Sequence, residues 1–169
     1  PWLNPVAPHA YAFFEDLQHT AVATQTWVKR ALVYCITEYK IDGYRFDMAK
    51  GFTQKASTTT TIEDYDGTRV TNLTRYYNYV NQLFPDTYMI LEFLGTQRQE
   101  EQIYSTIGFL LWGNNNAAYN QNTMGYPSNS DFSKIVYSST QQQFSVPAEM
   151  GYMESHDEER LMYKNLQYG

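Results

Sequence analysis

The sequence predicts an α/β fold built on a parallel sheet, and three observations carry that expectation. Short apolar runs alternate with longer segments of helical periodicity, three of the runs end in acid, and no Gly-rich phosphate loop follows any of them. Strands separated by helices favour parallel pairing through right-handed crossovers. An open doubly wound sheet and a closed eight-stranded barrel both give this pattern. The missing phosphate loop weakens the nucleotide-binding version of the first.

The elements follow in order. Ala21 to Lys40 reads as helix, because Val28, Leu32, Cys35, Ile36 and Tyr39 recur at helical spacing with no proline or glycine between them. Ile41 to Phe46 switches to alternation and ends at Asp47, a short strand. Thr53 to Asp66 is polar and aperiodic, a long loop. Val70, Leu73, Tyr77, Val80 and Phe84 mark a second helix that Pro85 ends. Thr87 to Phe93 is a buried strand, Gln97 to Tyr104 a short helix, and Gly108 to Trp112 a third strand. A polar, irregular stretch leads to a weaker fourth strand at Ala148 to Glu154, and Glu158 to Leu166 opens another helix. No repeat or linker divides the 169 residues, so one domain spans 1–169.

Composition excludes several classes. The net charge is −6 and the twelve Lys and Arg are scattered, so the basic stripe of a nucleic-acid binder is missing. No apolar run is long enough to span a membrane. The only cysteine, Cys35, rules out an internal disulfide and reads as a buried structural thiol. Aromatic residues make up 17% of the chain; a large core explains them, and so does a site that stacks rings on sugars.

Asp47, Glu92 and His156-Asp157 close three predicted strands. In a parallel barrel the C-terminal strand ends share one face, where active sites form. The separations leave room for one crossover between Asp47 and Glu92 and two between Glu92 and Asp157. Alternation puts Gly43, Arg45 and Asp47 on one face of their strand, with Tyr44 and Phe46 turned beneath the helices. An arginine beside Asp47 keeps that carboxylate ionised, as a nucleophile requires; a structural Arg–Asp pair is the alternative. Leu91, Phe93 and Leu94 flank Glu92, and an apolar pocket there would push its carboxyl upward. One charged and one protonated carboxyl is the division of labour of glycoside hydrolysis. For His156 and Asp157 the alternatives are a structural histidine and a helix cap.

These stretches also resemble a known family. Gly43-Tyr44-Arg45-Phe46-Asp47-Met48-Ala49-Lys50 resembles the nucleophile motif of the α-amylase family, glycoside hydrolase family 13. Ile90-Leu91-Glu92-Phe93 resembles its general acid/base motif, and Tyr152-Met153-Glu154-Ser155-His156-Asp157 the motif of its third carboxylate. The resemblance implies that Asp47 attacks the anomeric carbon, Glu92 serves as acid and then base, and Asp157 binds sugar hydroxyls and steadies the transition state. Arg45 and His156 would support them, and Lys50 would reach substrate on the leaving-group side, with an exposed lysine as the alternative. Two positions depart from the pattern: Gly51 stands where many members have His, and Ser155 where Asn usually precedes the His-Asp pair.

The implied fold is an incomplete (β/α)8 TIM barrel, running from the helix before the fourth strand to just past the seventh. A whole barrel needs about 250 residues, so the first motif is expected upstream and the piece is expected to be poorly stable and inactive alone. The implied substrate is an α-1,4-glucan such as starch or maltodextrin, with no nucleic acid or membrane partner. No cofactor is expected for the chemistry; a structural calcium belongs to the first motif and is unassigned. The wording around Asp157 resembles secreted, multidomain bacterial starch-active proteins, which implies a secreted or periplasmic location. Three other readings stand beside this one. They are an α-glucan transglycosylase or branching enzyme, a metal-assisted barrel enzyme with Asp47, Glu92 and Asp157 on Mg²⁺, and an inactive glucan-binding homologue.

Overall fold

The computed structural model describes residues 2–11 and 14–169. Its first elements are β1 (Leu3–Asn4) and β2 (Asp16–Leu17), paired antiparallel. The buried Asn4 and His9 both bond the Asp16 carboxylate, His9 at 3.0 Å, which closes this segment on itself. Helix α1 (Val22–Tyr39) follows and ends at Lys40, whose left-handed backbone lets its N–H reach Ile36. Leu32 is buried and Val28 and Ile36 pack against the core, but Tyr39 is exposed and Cys35 only half-buried. The thiol sits at the flank of the apolar stripe rather than at its centre.

Strands β3 (Gly43–Phe46), β4 (Tyr88–Leu91), β5 (Leu110–Asn114) and β6 (Glu149–Tyr152) form one parallel sheet in the order β3-β4-β5-β6. Helix α2 (Gly67–Leu83) links the first pair and α3 (Gln99–Ile107) the second. The β5–β6 connection carries α4 (Asn116–Thr123), and α5 (Leu161–Tyr168) follows β6. The expected α/β class with a parallel sheet is therefore present. The polar stretch after β5, expected to be irregular, instead opens with helix α4 one residue beyond the strand. Asparagine is a poor helix former, and the run carries little apolar periodicity, so local signals were weak.

The sheet has two unlike faces. Phe46, Met89, Leu91 and Leu111 pack against Leu32 of α1, Leu73, Tyr76 and Val80 of α2, and Tyr104 of α3. Each such side chain stabilises the fold by about 1.5–3 kcal/mol on burial. Tyr44 joins this side and its hydroxyl bonds the Leu32 carbonyl. The opposite face carries Arg45, Ile90, Leu110 and Met150 and opens into a trough of about 390 Å³. Gly43 lets β3 lie close to β4 there, since a Cβ would come within 2.5 Å of the Tyr88 carbonyl oxygen.

The long loop after β3 is held from beneath. Asp66 caps α2, accepting from the Thr68 and Arg69 N–H groups at 2.8 and 3.3 Å. Arg69 is fully buried and pairs with Glu100 of α3 through Nε at 2.8 Å and Nη2 at 2.5 Å. Its remaining donors reach the Lys50, Ile62 and Asp64 carbonyls, and Tyr104 donates to Glu100 at 3.0 Å. Every charge in this cluster has a partner, which burial demands.

Candidate active site

The parallel register sends the ends of β3, β4 and β6 to one rim, and the predicted acids stand there. Arg45 leaves β3 on the open face and binds two of them: Nη1 lies 2.9 Å from Asp47 and Nη2 2.9 Å from Glu92. The Nη2 contact is off the hydrogen-bond line, so it acts as a charge contact rather than an aligned bond. Glu92 takes its aligned bond from the Met48 N–H at 2.9 Å. Met48 sits in the left-handed region at φ 45°, turning the chain sharply just after Asp47. Leu94, two residues past Glu92, does the same at φ 47°. Such backbone costs about 1–3 kcal/mol per non-glycine residue and tends to occur at functional sites.

Asp47 and Glu92 differ in exposure, with side chains 66% and 15% accessible. Leu91 and Phe93 are buried in the helix-side core. Alternation turns Leu91 away from Glu92, but Phe93 and Leu94 line a cavity of about 270 Å³ together with Glu92, Met48 and Lys50. The surroundings of Glu92 are therefore mixed, with two of the three expected apolar neighbours on its cavity and the Arg45 guanidinium against its carboxylate.

Lys50 lines that cavity but is buried, and its ammonium bonds Glu63 and the Leu94 carbonyl. This corrects the exposed-lysine alternative. Beside it, the His9 ring lies 3.1 Å from where a Gly51 side chain would begin, so that space already holds an imidazole.

Two aromatic residues escaped the sequence reading. The Trp112 ring lies 4.2 Å from the Arg45 guanidinium and stacks on Tyr152 at 4.4 Å. The Tyr152 hydroxyl donates to Glu158 at 3.2 Å, and Asn114 donates to the same oxygen at 2.5 Å. Burial first, then the charges of Glu158, Glu92 and Asp157, push the Tyr152 phenol upward. Alternation on β5 and β6 puts both rings on the Arg45 face, a signal available in the sequence.

His156 and Asp157 are brought to the rim but not into contact with the other two acids. They pair with each other at 3.3 Å and are 69% and 56% accessible. Asp157 does not cap the following helix, whose N-cap is Arg160; the Glu154 carboxylate accepts from the Leu161 N–H at its start, at 2.6 Å. Ser155 supports the turn, its hydroxyl accepting from the Asp157 N–H at 3.1 Å while donating to Glu158. Arg45, Asp47 and Glu92 thus form an assembled cluster, with Asp157 beside it.

A further carboxyl lies behind β5. Glu149 is pushed up to about 7 by burial and then by the charge of Glu101. It rests on Gly113, where a Cβ would meet Glu149 Oε1 at 1.6 Å. Among the described residues no group of three or more His, Cys, Asp or Glu side chains is arranged to hold a metal ion, and no helix is long and apolar enough to cross a membrane. No model of a known protein family matches the chain. A comparison with curated proteins likewise finds no significant match.

Proposed function

We propose that the chain carries the catalytic face of a retaining glycoside hydrolase of the α-amylase type, acting on α-1,4-glucans. The observation that carries the reading is the single guanidinium of Arg45, in contact with Asp47 and Glu92 at once. Two carboxylates that share one cation are compatible with the separation of about 5–5.5 Å used by retaining enzymes, which leaves no room for an intervening water.

Roles follow from the surroundings. Asp47, exposed and paired with Arg45, attacks the anomeric carbon and displaces the leaving oxygen. Glu92, at the lip of its cavity, gives that oxygen a proton and later takes one from the water that releases the sugar. Asp157, more than half exposed and paired with His156 among the described residues, is placed to bind sugar hydroxyls. Trp112 and Tyr152 wall the cluster, with the Trp112 ring held between the Arg45 guanidinium and the Tyr152 ring. The sheet would be four consecutive strands of a (β/α)8 barrel. Its sequential order and its helix-covered face support this, and the open trough would be the barrel interior. A transglycosylase would use the same residues with a sugar acceptor in place of water. Arg45 stands against the metal-assisted reading, since its charge occupies the place between Asp47 and Glu92 that a cation would take.

The test is glucan hydrolysis by the Asp47→Asn variant. Loss of at least about a thousandfold in kcat/KM is expected with the fold retained. Activity within tenfold of the parent would remove Asp47 from the nucleophile's role.

A further inference from the structure

Glu158 follows Asp157 in the chain and takes no part in the chemistry proposed above. Four donors nevertheless converge on its carboxylate. Oε1 accepts from the Asn114 side-chain amide at 2.5 Å and from the Tyr152 hydroxyl at 3.2 Å. Oε2 accepts from the Ser155 N–H at 3.0 Å and from the Ser155 hydroxyl. These donors come from the end of β5, the end of β6 and the turn beyond it. One side chain therefore joins three pieces of backbone at the rim.

The direction of each bond is fixed. The Asn114 side-chain oxygen accepts from the Asn116 N–H at 2.9 Å, so its amide nitrogen is the atom that must face Glu158. The Ser155 hydroxyl has a single proton. It gives that proton to Glu158 and accepts from the Asp157 N–H at 3.1 Å. A chain of two bonds thus runs from Glu158 through Ser155 to the main chain of Asp157. The Asp157 carboxylate takes no part in it and stays exposed.

Only a group with two acceptor oxygens satisfies this position. A glutamine has one oxygen and one NH2 group. Turned one way, its NH2 opposes the Ser155 N–H; turned the other, it opposes the Asn114 amide, whose orientation is already set. Either way a donor is left facing a donor, and one side of the network is lost.

We propose that Glu158 is a positioning residue for Asp157. Through Ser155 it fixes the main chain from which the Asp157 carboxylate reaches sugar, and through Asn114 and Tyr152 it ties that turn to the ends of β5 and β6. The effect on turnover rests on the function proposed above; the bonds from Glu158 to the turn do not. Asp157 then combines a main chain set in advance with a side chain left to meet substrate.

A double-mutant cycle tests the link. Wild type, Asp157→Asn, Glu158→Gln and the double variant are compared on maltoheptaose, and hydrogen exchange at the Ser155 and Asp157 amides is followed without sugar. Glu158→Gln should lower kcat/KM about tenfold. In the Asp157→Asn background the same change should cost less than about twofold, since the group it positions is already gone. Both amides should exchange at least about tenfold faster in Glu158→Gln. Ser155→Ala removes the linking hydroxyl but leaves Glu158 its bonds to Asn114 and Tyr152. It should show the same coupling to Asp157→Asn and faster exchange at Asp157, and it carries the test if Glu158→Gln does not fold. Equal losses in both backgrounds overturn the positioning role and leave the function of the site standing. Unchanged exchange at both amides overturns the link from Glu158 to the turn. If wild type hydrolyses no glucan, the proposed function fails, and faster exchange in Glu158→Gln still supports the link.

Discussion

The rim after β3 and β4 and the rim after β6 carry acids of the same expected site, yet they are built differently. Asp47 and Glu92 share Arg45, Glu92 also receives the Met48 N–H, and the loop beside them is clamped by the buried Arg69–Glu100 pair. Asp157 has His156 and solvent. The difference separates two tasks. Groups that exchange a bond and a proton must be placed before substrate arrives, because misplacement by about 1 Å can cost a hundredfold. A group that only binds hydroxyls can be ordered by the sugar itself.

Removing the clamp should produce the largest change. Arg69→Met leaves Glu100 buried without its cation and should cost about 3–5 kcal/mol, read as a lowered midpoint in urea unfolding. A loss under 1 kcal/mol would mean that the clamp contributes little. Next, Arg45→Met keeps the apolar stem against Trp112 and removes the charge that both carboxylates share. We expect kcat/KM to fall about a hundredfold, with the melting temperature nearly unchanged because Arg45 lies outside the helix-side core.

The pH dependence tests the segment beneath this rim. His19 is buried against Phe52, at 4.2 Å between ring centroids, and bonds the Tyr76 hydroxyl at 3.0 Å. Burial, aided by the charge of His9 and opposed by Asp16, lowers it from 6.5 to about 4. The unfolded chain then takes up a proton that the folded chain refuses. The stabilisation is whole above pH 6.5 and is lost as pH falls towards 4, amounting to about 3 kcal/mol. Urea unfolding of wild type and His19→Phe at pH 7 and 4.5 should show the steeper loss in wild type; equal losses would contradict it. The smallest effect on the fold belongs to Asp157→Asn. Its melting temperature should stay within about 2 °C while glucan turnover drops; an unchanged turnover would remove Asp157 from the site.

Legibility in the sequence followed the same division. The β3 alternation placed Arg45 beside Asp47 and turned Phe46 to the core, because a period of two leaves no other arrangement once one face is buried. The second helix was readable from its apolar spacing, and Asp66 supplies its cap. Glu92 was located by its strand, but its surroundings were not, since Arg45 and Met48 come from a different strand and loop. Trp112 and Tyr152 went unread because their meaning lies in a cross-strand stack. The helix from Asn116 to Thr123 was hidden by residues whose local preference is for turns, and tertiary packing decided the outcome. Lys50 illustrates the opposite failure: neither the exposed-lysine alternative nor its burial could be decided locally, because Glu63, thirteen residues on, is what the loop folds against its ammonium.

The proposed mechanism turns on a covalent bond between Asp47 and the sugar. A 5-fluoro α-glucosyl fluoride, which slows release of the glycosyl-enzyme more than its formation, should trap that bond in the protein containing this chain. Peptide mass mapping is predicted to show one glycosyl adduct, on the peptide that carries Asp47, and none in Asp47→Asn. Hydrolysis of glucan to a product of inverted anomeric configuration, or an adduct on another carboxylate, would contradict it.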